Sequence, residues 1–134
     1  MTAGRALLDT GVLVAYLHRD DRHHEKCLNA FRSFRGLFIT TEAVLTESMY
    51  LVAGIPGGHQ TCLEIFIRGG MILVPATRAS LRRCQSLMSQ YSDIPMDFAD
   101  ATLVALAEET GVRDIYLEQL YTFCDLDGRG SVAA

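Results

Sequence analysis

The sequence has no apolar run near the ~18 residues a membrane-spanning helix requires, no Cys-x-x-Cys pair and no excess of basic residues. The first absence predicts a chain with no membrane span. Met1 to Arg5 lacks the layout of a signal peptide and leads straight into a strand-like segment, so the predicted location is cytoplasmic. The four cysteines, Cys27, Cys62, Cys84 and Cys124, are spaced unlike zinc or redox motifs. In that compartment they read as reduced, buried thiols. The formal net charge of −4 gives no bulk electrostatic signature of nucleic-acid binding. An acidic total is still compatible with phosphodiester chemistry, because clustered carboxylates bind divalent cations that engage phosphate. There is no internal repeat and no interdomain linker. At 134 residues and 49% hydrophobic content, the chain suits one domain with one core.

Short apolar runs alternate with helical patterns. Arg5 to Leu8 reads as a buried strand ending at Asp9, and Thr10 to Leu17 as a helix that Thr10 can cap. A polar loop follows. Asp20 or Asp21 then caps a second helix reaching about Ser33, with Cys27, Leu28 and Phe31 on one face. His23 and His24 are adjacent, so on a helix they point about 100° apart and suit a solvated cap better than one shared ion. Leu37 to Thr40 is a second strand, Glu42 to Ala53 a third helix, and His59 to Arg68 a fourth. Met71 to Val74 is a third strand, and Thr77 caps a fifth helix running to about Tyr91. Asp97 opens a last helix that Gly111 ends, and Asp114 to Leu117 is a fourth strand. Such alternation predicts an α/β fold with a parallel sheet covered on both faces.

The last helix concentrates the chemistry. Asp97 and Asp100 stand three residues apart, and Ala101 to Ala107 is almost entirely apolar. Acids are favoured in a first helical turn by the helix dipole, which makes capping the plainest account of both. A helix this apolar is buried over most of its surface, so Asp100 enters an interior or cleft floor where a charge needs a partner. Glu47 poses the same problem on the third helix, with Val44 and Leu51 on its face. Asp9 ends the first strand, where parallel-sheet folds place their ligand crevice. Asp9, Glu47 and Asp100 converging there would repel one another, and a hard divalent cation with oxygen ligands resolves the conflict. Arg78 and Arg82, one helical turn apart, suit a solvated face or a backbone-phosphate contact.

Three stretches together resemble PIN-domain nucleases. They are Leu7-Leu8-Asp9-Thr10-Gly11-Val12-Leu13, then Thr41-Glu42-Ala43-Val44-Leu45-Thr46-Glu47, then Met96-Asp97-Phe98-Ala99-Asp100-Ala101 with its apolar continuation. Their order and spacing are similar to small bacterial members, many of them VapC-like toxins. The resemblance covers residues 5 to 119. It implies a PIN-like α/β/α sandwich with a central, mostly parallel sheet of four or five strands over residues 1–119, and leaves 120–134 as a divergent, loose tail. It implies Mg²⁺- or Mn²⁺-dependent cleavage of single-stranded or structured RNA. It carries Asp9, Glu47 and Asp100 over as catalytic, metal-binding acids, with Asp97 as a less regular metal ligand. Thr10, Arg78 and Arg82 become substrate-binding candidates. It also implies a homodimer and a small antitoxin partner whose tail covers the active site.

One departure stands out. The family places Thr-x-Asp after the fourth strand, where this chain reads Leu117-Glu118-Gln119. Gln119 is neutral, and Glu118 in an extended segment points to the opposite face. Asp125 or Asp127 substitutes, three acids suffice, or metal binding and activity are weakened. Affinity for hard cations rises with ligand charge, so Gln119→Asp should tighten Mn²⁺ binding in calorimetry and speed RNA cleavage. No change in either would place Gln119 outside the site. The alternative functions are a catalytically weakened PIN-like module that binds RNA or protein, and a phosphoryl-transfer domain with Asp9 as nucleophile. The latter is disfavoured because Gly11 stands where a second acid would help.

Overall fold

The computed structural model describes residues 4–94, 96–116, 122–123 and 131–132. Leu117 to Gln119, Leu120, Cys124, Asp125 and Asp127 lie outside the described residues, and the expectations attached to them lie there too.

Strands β1 (Arg5–Leu8), β2 (Leu37–Thr41), β3 (Met71–Val74) and β4 (Ile115–Tyr116) form a parallel sheet, with β1 between β2 and β4. Two short strands, β5 (Thr122–Phe123) and β6 (Ser131–Val132), extend it antiparallel, giving the order β3-β2-β1-β4-β5-β6. Among the described residues the sheet therefore has six strands, where four or five are expected. The two additional ones fall in the stretch read from sequence as a loose tail. They carry no strong strand pattern of their own; backbone pairing onto the edge at β4 is what makes them strands.

Helices α1 (Thr10–Leu17), α2 (His24–Ser33), α3 (Glu42–Leu51), α4 (Gly58–Ile67), α5 (Arg78–Gln90) and α6 (Phe98–Thr110) fill the crossovers. Successive strand residues point to opposite faces. Ala6, Leu8 and Phe38 accordingly join Val12, Leu13, Cys27 and Cys62 in one core, under α1, α2 and α4. Leu7 and Ile39 join Val44, Leu103, Leu106 and Ile115 in the other, under α6. The result is a three-layer sandwich. A smaller cluster, Cys84 with Ala101 and Ala105, packs α5 on α6, where alanines allow close approach. Cys27, Cys62 and Cys84 are buried, and burial pushes the Cys62 and Cys84 thiols up, away from reactive thiolate.

The caps differ from expectation at α1 and α2. Thr10 is not the cap of α1 but its first residue; Asp9 is the cap and accepts the Thr10 N–H at 2.8 Å. The cap position of α2 is His23, with no side-chain cap bond, rather than Asp20 or Asp21. Asp21 instead fixes the preceding loop, where its carboxylate accepts the His23 N–H, and His24 bonds the Ala15 carbonyl on α1 at 2.9 Å. The histidine pair is thus structural. Thr77 caps α5 in a reciprocal box with Ser80, and Gly111 closes α6 in the left-handed region at φ 74°.

The ends of β1 and β2 are tied by a buried side chain. The Thr40 hydroxyl donates to the Leu8 carbonyl at 2.8 Å, immediately before Asp9. Thr40→Val keeps the shape and removes the donor, so it should cost about 1 kcal/mol. In urea unfolding this appears as a lower midpoint at unchanged slope; an unaltered midpoint would show that the bond carries no net stability.

Candidate active site

Strand order reverses at β1. The chain leaves β1 toward β2 and β3, then returns through α5 and α6 to β4 on the other side of β1. In open parallel sheets ligands bind outside the strand carboxyl ends at such a point. Asp9 directly follows β1, and Asp97 and Asp100 open α6, the helix that brings the chain back. The topology therefore delivers two helix starts, each carrying carboxylates, to one crevice.

Their local geometry is defined by backbone donors. Asp97 Oδ1 accepts the Asp100 N–H at 2.8 Å, and Asp100 Oδ2 accepts the Asp97 N–H at 3.3 Å. This is a capping box with an acid at both positions. The cap bonds of Asp9 and Asp97 each use one carboxylate oxygen, Oδ1, so capping and a place in a site are not alternatives.

Asp100 does not behave as a simple first-turn acid. The helix dipole and backbone donor favour its ionised form, yet its pKa is pushed up to about 6. Burial is the main cause, and the nearby negative charges of Asp97 and Asp9 add to it, together with the side-chain hydrogen bond to Asp97. The electrostatic influence of Asp9 on Asp100 places these two acids, 91 positions apart in sequence, in one field. An all-oxygen set of this kind, with one carboxyl crowded by negative neighbours, fits a hard divalent cation.

The expected three-acid cluster is not formed as a unit. Among the described residues no three or more of His, Cys, Asp and Glu stand together closely enough to hold a metal ion. Glu47 is half-buried on α3. It lies six residues beyond the Thr41 cap, about 9 Å along the helix axis at 1.5 Å per residue, whereas Asp9, Asp97 and Asp100 all sit at helix starts.

Thr10, a substrate-binding candidate from the resemblance, is 3% exposed, and among the described residues its buried hydroxyl has no hydrogen-bond partner. Beside Asp9 it is an unsatisfied polar group of the kind that calls for an explanation. A feature the sequence reading missed is the buried Thr41–Thr102 hydroxyl pair at 2.8 Å, which joins the start of α3 to α6. Arg78 and Arg82 are exposed on α5, while Arg83 pairs with Glu108 at 3.0 Å.

This architecture matches what sequence comparison finds. The PIN domain model matches residues 6–118, and the chain belongs to the PIN-domain family. No curated protein sequence matches it. Among solved structures it is similar to Mycobacterium tuberculosis VapC20, described as a sarcin-ricin loop cleaving toxin, with a TM-score of 0.79 and 17% identity over 87% of this chain and 92% of that one. It is also similar to a chain of a toxin-antitoxin complex from Klebsiella pneumoniae (TM-score 0.60, 17% identity, 82% of each chain). A third similar chain comes from VapBC2 of Rickettsia felis bound to a DNA fragment from its promoter (TM-score 0.58, 14% identity, 81% of this chain and 83% of that one).

Proposed function

We propose that this PIN-domain protein is a metal-dependent endoribonuclease and the toxin of a toxin–antitoxin pair. The observation that carries the reading is the site at the β1 switch point, where a partly buried Asp100 shares its field with Asp97 and Asp9. Asp9 and Asp100 would hold Mg²⁺ or Mn²⁺, with Asp97 beside Asp100. When bound, such an ion supplies a water nucleophile of lowered pKa and neutralises charge on the scissile phosphate. The chain's own residues orient the reactants. The Thr10 N–H fixes one oxygen of Asp9, the two backbone donors of the capping box fix Asp97 and Asp100, and the Thr10 hydroxyl is available to water or phosphate. Arg78 and Arg82 supply positive charge for the RNA backbone. No helix of the described residues is long and apolar enough to cross a membrane.

The partners are an antitoxin and a second copy of the chain. Tyr50 and Ile67 are 80% and 74% exposed near the ends of α3 and α4, with Leu51 and Leu63 beside them. An apolar surface of this kind favours docking, and an isologous dimer is the commonest closed geometry. Sedimentation showing only monomer at high micromolar concentration would remove the dimer.

The test of activity is incubation with a mixed RNA pool with and without Mg²⁺ or Mn²⁺. Cleavage that requires the ion and stops with chelator is expected. RNA binding with no cleavage under any divalent ion would favour the alternative, a PIN-like binding module weakened at Gln119.

A further inference from the structure

The end of β2 carries two buried hydroxyls in succession, Thr40 and Thr41. A buried hydroxyl needs a partner, and neighbouring strand residues send their side chains to opposite faces. The two therefore bond in different directions. Thr40 donates to the Leu8 carbonyl at 2.8 Å. Thr41 shares the face of Ile39, which lies under α6, and meets the buried Thr102 at 2.8 Å.

This second contact is one link of a longer chain with a fixed direction. A carbonyl only accepts, so Thr102 gives its single hydroxyl hydrogen to the Ala99 carbonyl at 2.6 Å. Thr41 is then the donor between the two threonines. Thr41 Oγ1 in turn accepts the Val44 N–H at 3.4 Å as the cap of α3. Donation runs from the Val44 N–H through Thr41 and Thr102 to the Ala99 carbonyl, with both hydroxyl hydrogens used.

The two end points share one property. Leu8 directly precedes Asp9, and Ala99 directly precedes Asp100. The carbonyl of one residue and the N–H of the next belong to a single planar peptide unit. A bond to the Leu8 oxygen thus holds the plane from which Asp9 extends, and a bond to the Ala99 oxygen holds that of Asp100. The Ala99–Asp100 plane is gripped at its other edge as well, where its N–H donates to Asp97 Oδ1 at 2.8 Å. Two acids far apart in sequence are in this way tied to adjacent residues of one strand, whose Cα atoms stand about 3.8 Å apart. A small cation such as Mg²⁺ tolerates little error in the placement of its oxygen ligands.

We infer that Thr40, Thr41 and Thr102 are positioning residues, whose hydroxyls fix the spacing of Asp9 and Asp100 for a divalent ion. The inference rests on the metal-dependent reading for its purpose, and one of its tests needs no metal. Thr110 supplies a matched control. Its hydroxyl donates to the Leu106 carbonyl at 2.8 Å on the same helix as Thr102, but Ala107 follows that carbonyl, at the end of α6 away from Asp97 and Asp100.

Mn²⁺ is titrated by calorimetry into the parent and into Thr40→Val, Thr102→Val and Thr110→Val, with thermal unfolding to show that each is folded at the working temperature. Valine keeps the shape and removes the hydroxyl. Thr40→Val and Thr102→Val should bind Mn²⁺ about tenfold more weakly, the lower end of the loss when a group supporting a metal ligand is removed. Thr110→Val should bind like the parent. Thr40→Ser and Thr102→Ser restore the hydroxyl and should recover the affinity. The Mn²⁺ concentration for half-maximal RNA cleavage should rise by the same factor in the two valine variants. In the metal-free protein, nitrogen-15 relaxation should show the Asp9 amide in Thr40→Val and the Asp100 amide in Thr102→Val falling below the order parameter of about 0.85 typical of rigid backbone. A folded valine variant at position 40 or 102 that binds Mn²⁺ within about twofold of the parent would overturn the inference. An equal loss in Thr110→Val, or no recovery with serine, would do the same. Should one valine variant fail to fold, the other and its serine counterpart decide. A parent that binds no Mn²⁺ would sink the metal-dependent reading instead. The relaxation measurement then decides, and unchanged order parameters at Asp9 and Asp100 would remove the positioning role.

Discussion

Asp9→Asn should lower RNA cleavage at least about a hundredfold and leave the protein folded. The asparagine carbonyl can still accept the Thr10 N–H that Asp9 accepts at 2.8 Å, so the cap of α1 survives. What disappears is a unit of negative charge at the carboxyl end of β1, where a divalent ion needs it. A catalytic metal contributes several kcal/mol of charge stabilisation, and each 1.36 kcal/mol is a factor of ten in rate. Single-turnover cleavage at saturating Mn²⁺, beside circular dichroism and thermal unfolding of both forms, separates the two effects. A variant that folds and cleaves within about threefold of the parent would show that Asp9 is a cap and nothing more.

Asp100→Asn should also abolish cleavage, but it should make the ion-free protein more stable. The reason is the raised pKa. The Asp100 carboxyl titrates at about 6 in the folded protein against an ordinary 3.8, so between these values the folded chain binds a proton that the unfolded chain has released. Stability from this group is full below pH 3.8 and is lost as pH rises through about 6. At neutral pH the ionised carboxylate, partly buried beside Asp97 and Asp9, works against folding. Asparagine keeps an oxygen to accept the Asp97 N–H and drops the charge. Because the carboxyl is partly exposed, solvent screens much of the penalty. The expected gain at pH 7 is a rise in Tm of a few degrees, the scale on which about 1 kcal/mol acts in a domain this size. The parent's stability should fall between pH 4 and 6 through this group, and the variant should lose that slope. Added Mn²⁺ should raise the parent's Tm more than the variant's, because an ion that binds only the folded state stabilises it. Equal Tm values at every pH, with and without Mn²⁺, would show that Asp100 carries no unfavourable charge and binds no ion.

Stability and function therefore pull against each other on one residue. The apolar α6 that buries Asp100 is what raises its pKa, and the same burial provides a crowded carboxylate suited to a cation. Asp97 contributes on both sides: its charge opposes ionisation of Asp100 while its carboxylate holds the Asp100 backbone in place.

Local chemistry made much of this legible in the residues themselves. Short runs that are mostly apolar and are followed by Asp or Pro mark β1 and β3, and their bounds agree with the folded chain. Asp97 as cap and Gly111 as terminator of α6 follow from side chains that bond their own backbone and from a residue that tolerates positive φ. These are effects of neighbours within one turn, which is why sequence determines them. The three acidic motifs, taken in order, also pointed to the PIN-domain family that the match over residues 6–118 establishes. Other features depend on elements far apart in the chain meeting in space. The field of Asp9 on Asp100 spans 91 positions and exists because β1 and α6 converge at the switch point. The unpartnered Thr10 hydroxyl and the Thr41–Thr102 pair arise from packing between separate helices. Glu47 shows the limit most clearly. Its apolar stripe is readable from spacing, but its height along α3 relative to the other acids is set by how the helices stack on the sheet, and only the tertiary structure decides that.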